Sequence, residues 1–344
     1  MSATDGVGRA RAPSRTGSRE RRLRRAGLLL LPLSLVPFVF VVPQILGWHS
    51  FLARQSAGHP LPAVRVQLTR AQARRFQPVP LYRRSVPVLL YHGIGDRDDG
   101  YAITRRTFAE HMAALARMRF HTITIDQYVR FRNGDAARLP PRPILITFDD
   151  GLLDSYRGAD RVLAEHGFNA AVFVSTHEVD RRNPRYLTWS ELHRMRDSGR
   201  WDVEAGPPDG YERVAYDGFG RTASAYAVRR YTEGWGLESL ADYEQRVSME
   251  LFDVRGTLRA QGFEPVAFAV PKGDYGQRGS NDARIAPLMR GLLHRQFEVA
   301  FTQRPDDDPG YTRPRGDPER FEIHANTTTD RLYMWLRDHA PRKR

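Results

Sequence analysis

The chain has 344 residues, room for one large domain and an appendage. It contains no cysteine, which excludes disulfides and thiolate metal sites and leaves either side of a membrane open. The formal charge is +13, but eight arginines against Asp5 and Glu20 put +6 of it in the first 25 residues; no zinc knuckle or aromatic RNA-binding motif accompanies the rest, so the charge does not indicate nucleic acid.

Residues 1–25 are polar and arginine-rich, and are expected to be a disordered cytoplasmic tail. Residues 26–47 carry no charge, and Trp48 follows them. A segment over 26–48 has the roughly 20 residues that a membrane helix needs. Pro32, Pro37 and Pro43 are tolerated in a membrane span. No small-x-small cleavage site follows, so an uncleaved signal anchor is expected in preference to a cleaved signal peptide. The arginines before the span orient it with the N-terminus in the cytoplasm and the following domain outside the cell membrane. Residues 49–85, with Pro60, Pro62, Pro78 and Pro80, read as a linker that holds the domain off the membrane, with a short helix over 67–76.

From Val86 onward, apolar runs alternate with helical patterns. Strands are expected at 86–92, 121–125, 144–148, 170–175, 201–205, 266–270, 299–302 and 321–325. Helices are expected after Thr104, between Phe148 and Gly167, after the Thr188–Glu191 capping box, over 239–262 and over 330–339. Such alternation predicts an α/β fold with a parallel sheet under helical cover, and the count suits a barrel of about seven strands. The domain runs over 86–339.

The chemistry concentrates at Thr147-Phe148-Asp149-Asp150-Gly151, where a short apolar strand runs into two adjacent carboxylates. Parallel α/β sheets place their sites at such strand ends. Adjacent carboxylates repel and together suit a hard or borderline cation, one ligating while the other takes a proton from water. The structural alternative is an Asp that caps the next helix, with Gly151 in the turn.

These residues resemble the first motif of the polysaccharide deacetylases related to chitooligosaccharide deacetylase. Val86-Pro87-Val88-Leu89-Leu90-Tyr91-His92 resembles the opening strand of the poly-N-acetylglucosamine deacetylase branch, and Ala269-Val270-Pro271-Lys272-Gly273 its Pro-aromatic-Gly motif. The resemblance covers about Val86 to Leu336. It implies a distorted (β/α)7 barrel, here preceded by one transmembrane helix. It also implies Asp149 as catalytic base, Asp150 as metal ligand, His324 as the acid that protonates the leaving amine, and a divalent metal, zinc in the family.

Three features depart from that pattern. The family takes two further metal ligands from a histidine motif, whose place here, Trp201 to Glu212, holds no histidine. Glu204, Asp209 or Glu212 would give an oxygen-rich site suited to Mn²⁺, Mg²⁺ or Ca²⁺. His92, which ends the first strand, and His177, which follows the strand at 170–175, are substitute ligand candidates, as is His324 if it turns to the metal. The other helical histidines, His111 among them, read as surface or helix-end residues. Second, Lys272 stands at the family's aromatic position, as a candidate oxyanion stabiliser or a solvated turn residue. Third, the arginine that often precedes that motif is absent.

Residues 207–238 read as a long loop with interleaved aromatic and arginine residues. Tyr226, Arg229, Tyr231, Trp235 and Lys272 are the candidate substrate-binding residues, because aromatic faces stack on sugar rings and arginine donates to hydroxyls. The reading is thus a membrane-anchored hydrolase that acts on carbon–nitrogen, non-peptide bonds, removing N-acetyl groups from an extracellular or cell-wall polysaccharide with metal-activated water. The alternative is a non-catalytic relative that binds glycan, a pseudoenzyme without the metal-binding histidines.

Overall fold

A computed structural model describes residues 58–79, 85–95, 100–135, 139–181, 183–208, 212–303 and 317–338. The expected tail and membrane span, 1–25 and 26–48, lie outside the described residues. Among those described, no helix is long and apolar enough to cross a membrane.

In chain order the elements are α1 (Arg70–Arg75), β1 (Val88–Tyr91), α2 (Arg105–Arg117), β2 (His121–Thr122), α3 (Ile125–Arg132), β3 (Pro143–Phe148), α4 (Leu153–His166), β4 (Ala170–Val174), α5 (Trp189–Asp197), β5 (Trp201–Ala205), β6 (Arg213–Ala215), β7 (Thr222–Ser224), β8 (Tyr231–Thr232), β9 (Gly236–Leu237), α6 (Leu240–Ala260), β10 (Ala267–Ala269), α7 (Ile285–Gln296), β11 (Val299–Gln303), β12 (Glu319–Glu322) and α8 (Thr329–Asp338). A 3₁₀ turn, Pro271–Gly273, follows β10.

Seven parallel strands close a ring in the order β1-β3-β4-β5-β10-β11-β12, because β1 pairs with both β3 and β12. The two-residue β2 adds outside it, on β3. Period-two alternation divides the side chains between two cores. Val88, Leu145, Phe173, Ala269, Val299 and Phe301 belong to a cluster that fills the ring. Leu89, Ile144, Ile146, Val172 and Val174 face the surrounding helices. Asp149 continues the parity of Leu145 and Thr147, and His92 that of Val88, so both side chains top the inner core.

The ring is distorted between β5 and β10, which share one register pair, Phe268 with Ala205. The buried Glu204 carboxylate accepts bonds there from the Val266 and Ala267 N–H groups at 2.9 and 2.8 Å. Burial pushes this carboxyl well above its ordinary value. Glu204 completes the ladder and is not a free ligand, contrary to the sequence expectation.

Several element boundaries also need correction. The strand expected over 121–125 stops at Thr122, because Thr124 and Gln127 form a capping box that opens α3. Helix α7, which holds His294, was given no bounds from the sequence; it includes Pro287, and proline fits in the first turn, where its missing N–H costs no helical bond. Residues 212–238 are no plain loop but two antiparallel hairpins, β6–β7 and β8–β9.

The expected linker is packed over much of its length. Phe76 and Val79 are buried in the main core. The Leu61 N–H bonds to the Arg157 carbonyl, Arg65 pairs with Glu165, and Arg117 and Arg142 donate to the Ala73 and Val79 carbonyls. Residues 58–79 therefore form a strap that belongs to the domain, in one compact unit with it.

Candidate active site

The site lies at the carboxyl ends of β1, β3 and β12. Asp149 accepts from both terminal nitrogens of Arg320, at 2.6 and 2.7 Å. The guanidinium is fully buried and lies within 5.4 Å of the Phe173 ring centre and 5.8 Å of that of Phe301. Aromatic faces thus hold the cation flat while the carboxylate grips its fork. Gln303 accepts a further bond from Arg320. Burial raises the Asp149 pKa and Arg320 opposes the rise. The positive charge of Arg320 beside it favours the ionised form of the carboxylate against that burial.

Asp150 adopts a left-handed φ of 71°. This turns its side chain away from Asp149 and toward His92, whose Nδ1 lies 3.5 Å from Asp150 Oδ2. Nε2 of His92 bonds to Glu322 at 2.7 Å. Burial disfavours the imidazolium, but the bonds to Asp150 and Glu322 outweigh it and push His92 up to about 10. His92 is therefore a cation at neutral pH, clamped between two carboxylates. His324 Nε2 lies 3.7 Å from the other oxygen of Glu322, and Tyr101 has its ring beside both histidines. Helix α4 has Leu152 at its N-cap and no side-chain cap bond. The acidic pair therefore does not serve as a helix cap.

The structure brings together Asp149, Asp150, His92 and His324. It does not bring in His177, which bonds to Asp253 of α6. Tyr226 is 3 % exposed and packs against Phe268, so it has no free face for a sugar. The Arg229 guanidinium is spent on the Glu238 carbonyl and Asp282. These corrections to the expected substrate set share one cause: the 207–238 segment has its own folded core, with Val214, Ala225, Ala227 and Val228 buried together. Tyr231 is half-buried in β8, Trp235 is 90 % exposed, and Lys272 is exposed with a left-handed φ of 52° in the turn after β10. The next residue, Gly273, is required: a Cβ there would overlap the Gln303 backbone.

Sequence reasoning missed Arg320, Glu322 and Gln303. The signal was present as Arg320-x-Glu322-x-His324, three polar residues at period two in a strand with Phe321 and Ile323 between them. His111 is also corrected: it is buried, bonded to the Tyr91 hydroxyl and the Thr327 carbonyl, and lowered by burial to about 4.

The implied metal can be tested against these residues. At the end of β5, where a histidine pair would sit, stand Gly206, Pro207 and Pro208, which offer no side-chain donor. Glu204 is spent on backbone, Glu212 pairs with Arg230 at 2.8 Å, and Asp209 lies outside the described residues. Among the described residues, no three His, Asp or Glu side chains are grouped to hold a metal. Asp150 and His92 face each other as two donors, against about three protein ligands in a catalytic zinc centre. The described residues do not fit the expected zinc, and no step below runs through a metal.

A parallel barrel with a buried Asp–Arg pair at its carboxyl mouth defines the class: an α/β-barrel with a polar catalytic-type centre. Comparison with known proteins narrows the class. Residues 136–206, which include the acidic pair, match the polysaccharide deacetylase family model. The Bacillus subtilis (strain 168) protein YxkH, which carries a polysaccharide deacetylase name, is 27 % identical over 114 residues, 33 % of this chain and 39 % of that one. The chain thus spans about two fifths of that relative's length. A de-N-acetylase from Aggregatibacter actinomycetemcomitans superposes with a TM-score of 0.62 at 16 % identity, over 73 % of this chain and 99 % of that one. The BpsB deacetylase domain from Bordetella bronchiseptica gives 0.57 at 21 % identity, over 71 % and 97 %. IcaB from Ammonifex degensii gives 0.52 at 22 % identity, over 75 % and 100 %. At these identities the structures establish the fold. The stretch that holds Asp149 and Asp150 is thus similar to the polysaccharide deacetylase family over residues 136–206.

Proposed function

We propose that this protein is a membrane-anchored hydrolase that removes N-acetyl groups from a polysaccharide outside the cell membrane. The observation that carries the reading is the two-point bond, at the carboxyl mouth of the barrel, between the buried Arg320 and Asp149, which lies within the matched family segment. It favours the charged form of a carboxylate in a largely buried place, oriented to accept a proton from water. As that water's oxygen bonds to the acetyl carbon, Asp149 takes its proton. The carbon–nitrogen bond then breaks, acetate leaves, and His324 supplies a proton to the departing amine. The His92 imidazolium, fixed by Asp150 and Glu322, adds a preorganised positive charge to the mouth. The uncharged 26–48 segment behind the arginine-rich tail supports a single-pass anchor with its N-terminus in the cytoplasm.

Acetate release from N-acetylglucosamine oligomers by the full chain tests the reading. Release is expected. Oligomer binding without any release would favour the glycan-binding alternative.

A further inference from the structure

The strands of the ring are parallel, so the residues after β5 and β10 share the face that holds Asp149 and Asp150. Pro207 and Pro208 follow β5, and Pro271 follows β10. Between these prolines, the hairpin segment and α6 lies a cleft of about 270 Å³. Small-molecule pockets run from about 300 to 1,000 Å³, so the cleft is the size for a single sugar unit. It lies one strand away from the acidic pair. Gly151, next to Asp150, and Gly206, next to Pro207, both close on Val174 of β4. A Cβ on Gly151 would lie 3.1 Å from the Val174 side chain, and the Gly206 N–H bonds to the Val174 carbonyl at 3.0 Å. Two strand spacings, roughly 10 Å, separate the ends of β3 and β5. Neighbouring units of one polysaccharide chain can bridge that gap.

The walls of the cleft are of two kinds. The three prolines present C–H surface, which suits the C–H face of a pyranose ring. The polar lining is Glu212, Glu250, Ser224 and Tyr226; among the described residues no arginine, lysine or histidine lines it. The two carboxylates differ. Glu212 bonds to Arg230 at 2.8 Å. Glu250 is served by Arg246 at 3.8 Å, whose guanidinium already grips both oxygens of Glu238 at 2.8 and 2.9 Å. Beside Glu250 stands the hydroxyl of Tyr226, a residue only 3 % exposed. The Tyr226 ring packs on Phe268, but its hydroxyl is left without a well-directed hydrogen bond. A buried hydroxyl without a formed bond calls for a partner. A carboxylate whose arginine is engaged elsewhere calls for a cationic donor. An ammonium supplies three donors and the charge. An acetamide supplies one donor and sets a carbonyl oxygen among acceptors.

We infer that this cleft holds a glucosamine unit of the polysaccharide, its ammonium against Glu250 and Tyr226, so that N-acetyl groups are removed beside units already converted to the amine. The inference rests on the deacetylase reading proposed above, which makes such an amine its own product.

Calorimetry on the full chain compares glucosamine oligomers with glucose oligomers of matched length and linkage, at a pH where the amine is protonated. The two sets differ in an ammonium against a hydroxyl, and neither carries an acetyl group, so no turnover intervenes. Several-fold tighter binding of the glucosamine oligomers is expected, with a preference that weakens in salt and is lost in Glu250→Gln. Equal affinities in the wild type, no binding of either, a preference indifferent to salt, or one that survives Glu250→Gln would overturn the site. The wild-type comparison and its salt dependence decide the matter even if Glu250→Gln does not fold. Acetate release from N-acetylglucosamine oligomers is read separately. Release together with equal affinities overturns the amine site and leaves the deacetylase reading standing. A preference that Glu250→Gln removes, without any release, supports the amine site and overturns the deacetylase reading.

Discussion

Arg320 decides whether a charged Asp149 can exist where it does. Removing one partner of a buried pair leaves the other charge uncompensated, at a cost of about 3–5 kcal/mol. Arg320→Met should therefore destabilise the domain by about that amount in urea titrations, and adding Asp149→Asn should recover much of the loss. Two losses that simply add would mean that the pair is not coupled. His92 gives a pH signature. Its ordinary value is 6.5 and its value in the fold is about 10. The folded form holds the proton more tightly, so the clamp contributes fully below about pH 6.5 and is lost as pH rises through about 10. The stability deficit of His92→Asn should shrink over that window; a constant deficit would contradict the clamp. Asp149 was legible from the strand that runs into it. Arg320 was not, because its partner lies 171 positions away and no local pattern reports a contact at that distance.

At the scale of elements, the strap is the main departure from the sequence reading. Four prolines and scattered arginines resemble a linker, and one buried ring, Phe76, with backbone bonds to the domain makes it structural. Phe76→Ala should cost about 3–5 kcal/mol. A fragment starting at Val86 should show a lower urea midpoint than one starting at Gly58; equal midpoints would return the strap to the status of a tether. Helices with strong caps, such as the one opened by Thr188 and Glu191, were readable because the cap is a local interaction. The hairpins were not read, although the paired glycines around Phe219 and Trp235 marked their turns. Burial of Tyr226 depends on how the segment folds onto α6, where the Tyr243 hydroxyl donates to the Tyr226 carbonyl, and composition alone cannot report that.

For the whole molecule, the alternation of strand and helix carried the barrel, and period-two parity carried the inward placement of Asp149 and His92. What parity could not carry was the closure of β1 on both β3 and β12, which brings His92 to Glu322 across 230 positions. The expected topology is open to a simple check: a reporter active only in the cytoplasm, fused after Arg344, should be silent, and an active one would reverse the orientation. The central claim is that Asp149, held by Arg320, is the base of a deacetylase. Its most direct test is acetate release from N-acetylglucosamine oligomers by the full chain and by Asp149→Asn. The account predicts measurable release by the wild type and a loss of at least about 10²-fold in the variant. Equal release from both, or none from the wild type, would contradict it.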